Sequence, residues 1–250
     1  MGKPIFEFQK FHQITKIKKL GLPITVKSLE EESKYYPDEW KTVFFKGYSR
    51  FEEVKLPKPQ LKNSVSLKKV LFERRSRREF SKNPLSRKDL STLFYYSVGV
   101  KSPDSGLISR FYPSGGGRFP LEIYFLPVNS ELPKFFYHYY VKNNSLEKMF
   151  EFKKRDMQKI TNIDWVKNAG GIIFITAVFN RTTIKYGERG YRHVMTEVGF
   201  VTQNFCLLAS ALNLAICPIG AYADDTINKF LELDPLLESV VGVLVVGKNR

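Results

Sequence analysis

The chain has 250 residues, of which 43% are hydrophobic and 14% aromatic, so it has enough apolar material for a full core and is not a disordered chain. Its net charge of +15 predicts an anionic partner, such as a nucleic acid, a membrane surface, an acidic peptide or a phosphorylated cofactor, although a lysine-rich solubilising surface would give the same balance. Two cysteines and three histidines show no metal-ligand spacing, which predicts a protein without a metal site. The first 19 residues contain no apolar run, so we expect no signal peptide, a cytoplasmic protein and no disulfide.

Residues 1–62 differ from the rest of the chain and are predicted to form an N-terminal extension that packs on the core or on a partner. The segment 8–19 is basic and aromatic, and the segment 28–40 is acidic. Aromatic side chains of this kind favour burial over full solvation. The proline-spaced stretch 55–62 is predicted to link the extension to a main domain over residues 63–250.

The main domain is predicted to alternate between helices and apolar strands. Ser66 can cap a helix that runs to Arg75, and Ser86 with Asp89 forms a capping-box pattern at the start of another. The nearly all-apolar run 171–179 predicts a strand inside the sheet. The other predicted elements are a hairpin of strands over 121–127 and 135–142, strands over 215–219 and 240–247, and helices over 146–160 and from Asp224 or Asp225 to Leu233. This pattern predicts an α+β fold with helices on a mixed sheet.

The stretch from Lys185 to Ala215 is predicted to organise the fold. From Met195 onward, apolar residues recur at helical spacing and small residues fill the other sides. We therefore expect a long helix buried on several sides, in a soluble core or a dimer, because residues such as Glu197 make it too polar for a membrane span. A polar loop is expected to lead into this helix and to place Lys185 and Tyr186 on a rigid support.

Lys185 and Tyr186 are a candidate proton-transfer pair. A lysine that acts as a base near pH 7 needs a pKa about 3 units below the reference value of about 10.4. Partial burial and the neighbouring cations Arg189 and Arg192 would both act in that direction. A solvated loop lysine beside a packing tyrosine is the alternative interpretation.

Other polar residues near this pair are given structural interpretations. Glu188 and Glu197 are expected to pair with arginines rather than act as bases. His193, at the start of the helix, is expected to be a satisfied structural histidine. Gln203 and Asn204 lie in an apolar context, and buried amides need hydrogen-bond partners. They bind either a ligand or the sheet backbone, and we favour the backbone.

The segment 74–80, with the sequence RRSRREF, places four arginines and a serine beside a predicted helix end. Guanidinium groups bind phosphate through two hydrogen bonds at once, and each charge-assisted bond contributes roughly 1.5–3 kcal/mol. Charge alone favours a solvated basic face or a nucleic-acid patch. The presence of Ser76 and Phe80 in the same short segment favours a site for a phosphorylated cofactor.

The segment 113–117, with the sequence PSGGG, is predicted to be a loop that wraps a planar or phosphate-bearing ligand, because glycine lets the backbone approach closely. It lacks the Lys-Ser/Thr ending of a P-loop. It also does not follow a strand as the dinucleotide-binding motif does. An ordinary flexible turn is the alternative.

Four segments occur in a fixed order: RRSRREF, the PSGGG loop before a strand, KYGERGYR before a buried helix, and CPIGAYADD after it. In this combination the chain resembles the nitroreductase-like flavoproteins, and among them the SagB-type azoline dehydrogenases that mature thiazole- and oxazole-containing peptides. The resemblance covers about residues 66–250. It implies a nitroreductase-like fold with a mixed, mainly antiparallel sheet flanked by helices, and an obligate homodimer with FMN and the long central helix at its interface.

The resemblance also implies roles for individual residues. The implied FMN-binding residues are Arg74, Arg75, Ser76 and Arg78 at the phosphate and ribityl chain, Pro113, Ser114, Gly115 and Gly116 from the other subunit, Gly220 and Ala221 at the ring edge, and Lys248 and Arg250 as further phosphate contacts. Lys185 and Tyr186 fall on the family's catalytic pair. Arg77 and Gly117-Arg118 are bulkier or more highly charged than the residues common in relatives, which affects the expected shape of the substrate entrance.

The implied reaction starts from a thiazoline or oxazoline that a cyclodehydratase has made in a precursor peptide. Lys185, assisted by Tyr186, removes a ring proton, a hydride equivalent passes to FMN, and oxygen reoxidises the flavin. The implied partners are the precursor peptide and a cyclodehydratase complex, with no nucleic acid and no membrane. The alternatives are a general NAD(P)H-dependent nitro or quinone reductase, a non-catalytic scaffold of a peptide-modifying complex, and a nucleic-acid binder. We rank the nucleic-acid binder last, because the sequence contains no RNA-recognition signature.

Overall fold

The computed structural model describes residues 7–17, 45–61, 65–101 and 109–250. The acidic segment 28–40 lies outside these described residues. The helices are α1 (Glu7–Ile14), α2 (Leu67–Glu73), α3 (Arg87–Val98), α4 (Met157–Ile160), α5 (Asn180–Tyr186), α6 (Gly190–Ala211) and α7 (Asp224–Phe230). The strands are β1 (Glu52–Lys55), β2 (Leu121–Pro127), β3 (Phe135–Tyr140), β4 (Ser145–Glu151), β5 (Gly171–Val178), β6 (Leu214–Ile219) and β7 (Glu238–Lys248).

The strands of the described residues form one sheet in the order β1-β4-β3-β2-β5-β7-β6, and the pairings along it are antiparallel. The predicted hairpin of β2 and β3 is confirmed. The strand predicted to lie inside the sheet, β5, pairs with β2 on one side and β7 on the other. The α+β fold predicted from the sequence is confirmed, and β1 extends the sheet by pairing with β4.

Both faces of the sheet are covered, which explains why the central strands are apolar at nearly every position. Along β2, Leu121, Ile123 and Phe125 belong to the core that also contains α3 and α6 residues. Tyr124 and Leu126 belong to the core on the other face, with residues of α4 and α7. Successive side chains of a strand point to opposite faces of the sheet. A strand between two helical layers therefore needs apolar residues at both odd and even positions.

The prediction of a helix over residues 146–160 is wrong. Its first half is strand β4, which pairs with β1 and β3, and only Met157–Ile160 forms a helical turn. Leu, Glu, Lys and Met in this segment have good helix propensity, but the pairing on both sides outweighs that local preference. Leu146 and Met149 are buried, and Glu147 has a buried partner described below.

Both predicted serine caps are confirmed. The Ser66 hydroxyl accepts from the Lys69 amide at 3.2 Å at the start of α2. At the start of α3, Ser86 and Asp89 form a complete capping box. On α2, Val70 is buried, whereas Leu67, Leu71 and Phe72 are 67%, 52% and 75% exposed. The chain therefore presents most of this helix's apolar surface outward.

Helix α7 begins and ends differently from the prediction. Ala223 occupies the cap position, and neither aspartate caps the helix through its side chain. Asp224 and Asp225 lie in the first turn instead, where their negative charges interact favourably with the helix dipole. The helix ends at Phe230 rather than at Leu233.

The segment predicted as a loop before the central helix is itself helical. Lys185 lies on α5, and the long helix α6 begins at Gly190, earlier than the predicted start near Met195. Gly187, with φ +54°, separates the two helices. At Gly190 a Cβ would lie 2.9 Å from the Cα of Thr183, so the helices meet in a contact that has room only for glycine.

Helix α6 buries one stripe in the single chain, rather than several sides. Val194, Val201 and Phe205 are fully buried, whereas Phe200 is 41% exposed. Asn204 donates to two main-chain carbonyls at 3.1 Å, one at the end of α3 and one in a loop, and not to the sheet backbone. No helix in the described part of the chain is both long and apolar enough to cross a membrane.

Candidate active site

The predicted proton-transfer pair lies against the glycine loop. Gly116 has φ +62°, and a Cβ at this position would lie 2.6 Å from the Tyr186 hydroxyl oxygen and 3.3 Å from Lys185 Nζ. The positive backbone angle favours glycine here, and a side chain at this position would displace Tyr186 or Lys185. Lys185 Nζ lies 5.7 Å from the centre of the Tyr186 ring. The fold thus brings together Lys185, Tyr186 and Gly116, which the sequence could only suggest separately.

Glu197 of α6 holds the same loop from the other side. One of its carboxylate oxygens, Oε1, accepts from the Ser114 hydroxyl and from the Gly115 amide, each at 3.0 Å. Burial raises the pKa of Glu197 to about 7, although these two bonds and the charge of Arg110 oppose the rise. The predicted arginine partner is wrong for Glu197, because its hydrogen bonds go to the loop and Arg110 acts on it only through its charge.

His193 packs against Tyr186 and lies beside Gly115 of the loop. Its ring centre lies 4.8 Å from that of Tyr186, and a Cβ at Gly115 would lie 3.6 Å from the Cβ of His193. Burial and the nearby Arg189 lower the pKa of His193 below its usual value. A neutral, packed imidazole is the form that this environment favours.

Two buried arginines connect the glycine loop to α5. Arg118 Nε donates to the main-chain carbonyl of Arg181 at 2.6 Å. In return, Arg181 Nη1 donates to the carbonyl of Phe119 at 3.0 Å. Arg118 and Arg181 are only 3% and 8% exposed. Arg118 therefore lies inside the fold, whereas its departure from the family pattern suggested a position at the substrate entrance.

Arg181 is the first member of a chain of buried charges that crosses the sheet. It forms a 2.6 Å ion pair with Glu122, whose other oxygen lies 3.1 Å from His138 Nε2. His138 Nδ1 lies 2.7 Å from Glu147, which also accepts from the Tyr48 amide at 2.6 Å. Burial alone would raise the pKa of Glu122, but Arg181 and His138 outweigh it and lower the pKa to about 2. Burial lowers the pKa of His138, but the two glutamates more than offset this, so its net shift is upward.

Sequence reasoning missed these buried charges. Glu122 and His138 stand inside the strands LEIYFLP and FFYHYY, where every other residue is apolar or aromatic. Charged residues are almost never fully buried unless they are paired. A charged residue inside an apolar strand therefore indicates a buried ion pair. It does not show which residue of another element is the partner.

The arginine-rich segment 74–80 runs along the free edge of β6. The Arg77 amide donates to the Ile216 carbonyl at 2.9 Å, and the Ser81 amide donates to the Lys248 carbonyl at 2.9 Å. These bonds fix the backbone. The side chains of Arg75, Ser76 and Arg78 are exposed, and that of Arg74 is partly buried.

Within one chain, the arginines and the glycine loop lie against different halves of α6. Burial raises the pKa of Cys206 to about 11, and the nearby Arg74 guanidinium opposes the rise, which places Arg74 beside the C-terminal half of the helix. The loop contacts Glu197 in the N-terminal half. From Glu197 to Cys206 the helix rises about 13.5 Å at 1.5 Å per residue. Within one chain, the arginine segment and the glycine loop are therefore separated along α6.

Gly220 and Ala221 follow the end of β6, beside the arginine segment. Both are exposed, and a Cβ at Gly220 would have no atom within 4 Å. The Ala221 carbonyl accepts from the Thr161 hydroxyl at 2.7 Å, so this backbone is held in place. The turn offers an open surface at Gly220.

The two C-terminal cations predicted to bind phosphate both have acidic partners. Lys248 Nζ lies 2.6 Å from Asp89, and Arg250 Nη1 lies 3.1 Å from Glu79. Arg250 also lines an open cavity of about 950 Å³ with three further cations. They are Arg78, Lys82 and Lys167.

The residues present fit FMN at both of its ends. Exposed guanidinium groups and the Ser76 hydroxyl on one fixed backbone are the donors that a phosphate prefers. At Gly220 a Cβ would meet no atom within 4 Å, which leaves room for a flat ring. Within the described ranges, no group of three or more His, Cys, Asp or Glu side chains could hold a metal ion.

A family model described as "Nitroreductase family" matches residues 71–248. The protein MJ1384 of Methanocaldococcus jannaschii, whose name gives it provisionally as a nitroreductase, is 32% identical over 198 residues, which cover 76% of this chain and 96% of that protein. The microcin B17-processing protein McbC of Escherichia coli is 27% identical, over 61% of this chain and 58% of McbC. The trifolitoxin-processing protein TfxB of Rhizobium leguminosarum bv. trifolii is 28% identical, over 57% of this chain and 40% of TfxB. The match thus spans about half the length of the two peptide-processing relatives.

Solved structures show the same fold. A chain of the Escherichia coli microcin synthetase McbBCD complex, with truncated pro-MccB17 bound, superposes with a TM-score of 0.63 at 20% identity and covers 98% of this chain and 92% of its own. A nitroreductase-type protein of Desulfovibrio desulfuricans in complex with FMN superposes with a TM-score of 0.51 at 17% identity, over 75% of this chain and 88% of its own. Together with the sequence matches, these structures confirm the resemblance carried by the four motifs.

Proposed function

This chain belongs to the nitroreductase family, and on that basis we propose that it is an FMN-dependent dehydrogenase that oxidises thiazoline or oxazoline rings in a ribosomally made precursor peptide to thiazoles or oxazoles. The observation that carries the proposal is the contact of Lys185 and Tyr186 with Gly116, which puts an amine and a phenol beside the glycine loop. The similarity to McbC and TfxB, both named for peptide processing, supports the substrate class.

The cofactor would be held by groups from two chains. Arg74, Arg75, Ser76 and Arg78 would bind the phosphate and ribityl chain, with Lys248 and Arg250 adding charge. Gly220 and Ala221 would lie at the ring edge, and the partner chain would contribute its 113–116 segment. When bound, FMN supplies the chemistry of a two-electron acceptor that takes a hydride equivalent.

A homodimer is part of this proposal, and exposed apolar residues support it. Leu67, Leu71 and Phe72 on α2, and Phe200 on α6, are each at least 41% exposed in the single chain. Large apolar side chains clustered on neighbouring helices indicate an interaction surface. Obligate dimers commonly bury about 2,000–5,000 Å² of largely apolar surface. An antiparallel pairing of two α6 helices would bring the arginines of one chain to the loop of the other.

In the proposed reaction, Lys185 takes the ring proton and Tyr186 assists by holding the substrate or the amine in position. Gly116 leaves no side chain between the pair and the ligand. The arginine clamp between Arg118 and Arg181 fixes α5 relative to the loop, so the base does not have to be ordered when substrate binds. Such preorganisation is a large part of how a site accelerates proton removal.

The substrate and the assembly follow from the same proposal. A precursor peptide already cyclised by a cyclodehydratase would be the substrate, and a complex with that enzyme would deliver it. The solved microcin synthetase complex holds a truncated precursor, which supports an assembly of this kind. We also propose that the protein works in the cytoplasm, without nucleic acid or membrane partners.

The proposal is tested by colour and by mass. The purified full-length protein should be yellow and should release FMN on boiling. Incubated with a cyclised precursor peptide, it should remove two hydrogens per ring, as read by mass spectrometry. A colourless protein that takes up no added FMN would contradict the enzyme and favour a non-catalytic scaffold.

A second candidate is a general NAD(P)H-dependent nitro or quinone reductase, which the 32% identity to MJ1384 favours. The flavin site would be the same in both. Rapid reduction of a nitroaromatic by NADPH, without any peptide partner and with no change in the cyclised peptide, would select this candidate.

A further inference from the structure

We propose that Glu197 is a positioning residue that ties the Ser114 side chain and the Gly115 amide to the central helix, so that the Gly116 backbone is the part of the loop that meets the flavin. The identity of the ligand rests on the proposed function above. The tie itself is a property of this chain and can be measured without any ligand.

The hydrogen bonds of the loop carry the first step. Ser114 has one hydroxyl hydrogen and donates it to Glu197 at 3.0 Å, and its oxygen accepts from the Phe119 amide at 2.8 Å. The Gly115 amide also donates to Glu197, and the Gly117 amide donates to the Ser114 carbonyl at 3.0 Å. The side chain of Ser114 and the amide of Gly115 are therefore engaged inside the fold, not directed at a ligand.

The burial of Glu197 carries the second step. The residue is 2% exposed, and its oxygen Oε2 is buried with no hydrogen-bond partner among the described residues. A buried carboxyl with an unsatisfied oxygen destabilises a fold, so packing alone would favour an apolar residue at this position of α6. Glutamate supplies what an apolar residue lacks, which is an acceptor for two donors of the loop.

The position of Gly116 depends on this tie. Gly116 follows Gly115 directly, and its Cα faces the Tyr186 hydroxyl and the Lys185 amine. With the Gly115 amide bound to α6, the loop cannot move away from α5 without breaking two hydrogen bonds. Through its bonds to Ser114 and Gly115, Glu197 thus controls how closely the flavin-facing backbone of Gly116 approaches Lys185.

The charged and titratable groups around Glu197 allow the tie to respond to pH. Arg110 and Tyr112 interact with it electrostatically from the segment before the loop, and His193 lies one turn earlier on α6. Since the pKa of Glu197 lies at about 7, its carboxylate form, the stronger acceptor, is populated as the pH rises through neutrality. The loop is therefore held more tightly above pH 7 than below it.

The tie is tested by nuclear magnetic resonance on the full chain as purified, labelled with ¹⁵N-glycine. The signal of Gly115, assigned by Gly115→Ala, should titrate with a midpoint near the carboxyl pKa of about 7. The same midpoint is expected in Glu188→Gln, which changes an exposed acid nearby, and no titration in Glu197→Gln. A Gly115 signal that does not move in the parent protein, or that still titrates in Glu197→Gln, overturns the proposal.

The role in flavin binding is tested by a double-mutant cycle on Ser114→Ala and Glu197→Gln. FMN affinity, measured by flavin fluorescence, should be lower in each single variant than in the parent. The affinity of the double variant should be no lower than that of the weaker-binding single variant. If the affinity of the double variant is lowered by the product of the two single losses, Ser114 contacts the flavin independently of Glu197, and the proposal is overturned. A protein that binds no FMN refutes the proposed function instead, while the titration of Gly115 still decides the tie.

Discussion

Arg118 and Arg181 each donate a hydrogen bond to the backbone beside the other. Arg118 Nε lies 2.6 Å from the Arg181 carbonyl, and Arg181 Nη1 lies 3.0 Å from the carbonyl of Phe119, the residue after Arg118. This reciprocal contact joins the glycine loop to the helix that carries Lys185. It also connects the site to the buried charges of the sheet, because Arg181 is the partner of Glu122.

Replacing Arg181 with methionine should destabilise the protein strongly. The substitution keeps most of the side-chain volume but leaves Glu122 buried without its cation, and breaking a buried ion pair typically costs about 3–5 kcal/mol. The free energy of unfolding in urea measures this loss. Arg155→Met, at an exposed arginine, is the matched control and should change the stability by less than about 0.5 kcal/mol. An equal loss of unfolding free energy in both variants would contradict a stabilising ion pair between Arg181 and Glu122.

Lys185→Ala should abolish ring oxidation while the flavin and the dimer remain. The proposed role is proton removal, and a positioned acid or base contributes about 10²–10⁴-fold to a rate. The loss of two hydrogens per ring, followed by mass spectrometry, gives the rate. Lys142→Ala, at an exposed lysine, should react like the parent protein. Oxidation by Lys185→Ala at the parent rate would rule out this residue as the base.

Arg74→Ala and Arg78→Ala should weaken FMN binding but not riboflavin binding. Each guanidinium is proposed to bind the phosphate, and a charge-assisted hydrogen bond of about 1.5–3 kcal/mol corresponds to about a 10- to 100-fold change in affinity. Riboflavin lacks the phosphate and serves as the internal control. Lys153→Ala, at an exposed cation, controls for general charge. A parallel loss for both flavins would point to the ring or to the fold instead.

Phe72→Asp should convert the protein to monomers and lower its flavin content. Phe72 is 75% exposed on α2, where we propose that a second copy packs, and a charge there would have to be desolvated on association. Sedimentation or light scattering gives the mass, and absorbance gives the flavin. Leu236→Asp provides the control, because Leu236 is also exposed, at 86%, but lies far along the chain between α7 and β7. A dimer that survives Phe72→Asp would place the interface elsewhere.

Glu197 should make the protein less stable as the pH rises from about 4.5 to about 7. Its folded-state pKa lies near 7 and its ordinary value near 4.5, so the folded state binds more protons across this interval. The stabilisation is complete below pH 4.5 and is lost as the pH rises through 7, by about 3 kcal/mol at 1.36 kcal/mol per unit. Urea unfolding of the parent and of Glu197→Gln, compared between pH 5 and 8, measures the difference. Parallel pH profiles would contradict the raised pKa.

The sequence correctly predicts elements that depend on residues only a few positions apart. The capping box of Ser86 and Asp89 and the apolar run of β5 are of this kind, and the structure confirms both. The helix predicted from Leu146 failed for the opposite reason. Its backbone pairs with β1, about ninety residues earlier in the chain, and with β3, and propensity contains no information about such partners.

The candidate site shows the same limit. The motif around Lys185 and the glycines near Ser114 could be recognised in the sequence, since each is a short string. Glu197 and Arg181 could not, because their importance comes from donors and acceptors that meet only after folding. A buried ion pair or a loop anchor is defined by two positions, and neither position is unusual by itself.

The glycine contact between α5 and α6 has a consequence for how the site adapts. Gly190 packs against Thr183 with no space for even a methyl group, so α5 and α6 meet in direct backbone contact. The lysine carried by α5 therefore has its reach fixed by the fold. In the proposed reaction, thiazoline and oxazoline rings would then be accommodated on the side of the glycine loop, residues 113–117, where we expect substitutions to change which peptides are oxidised.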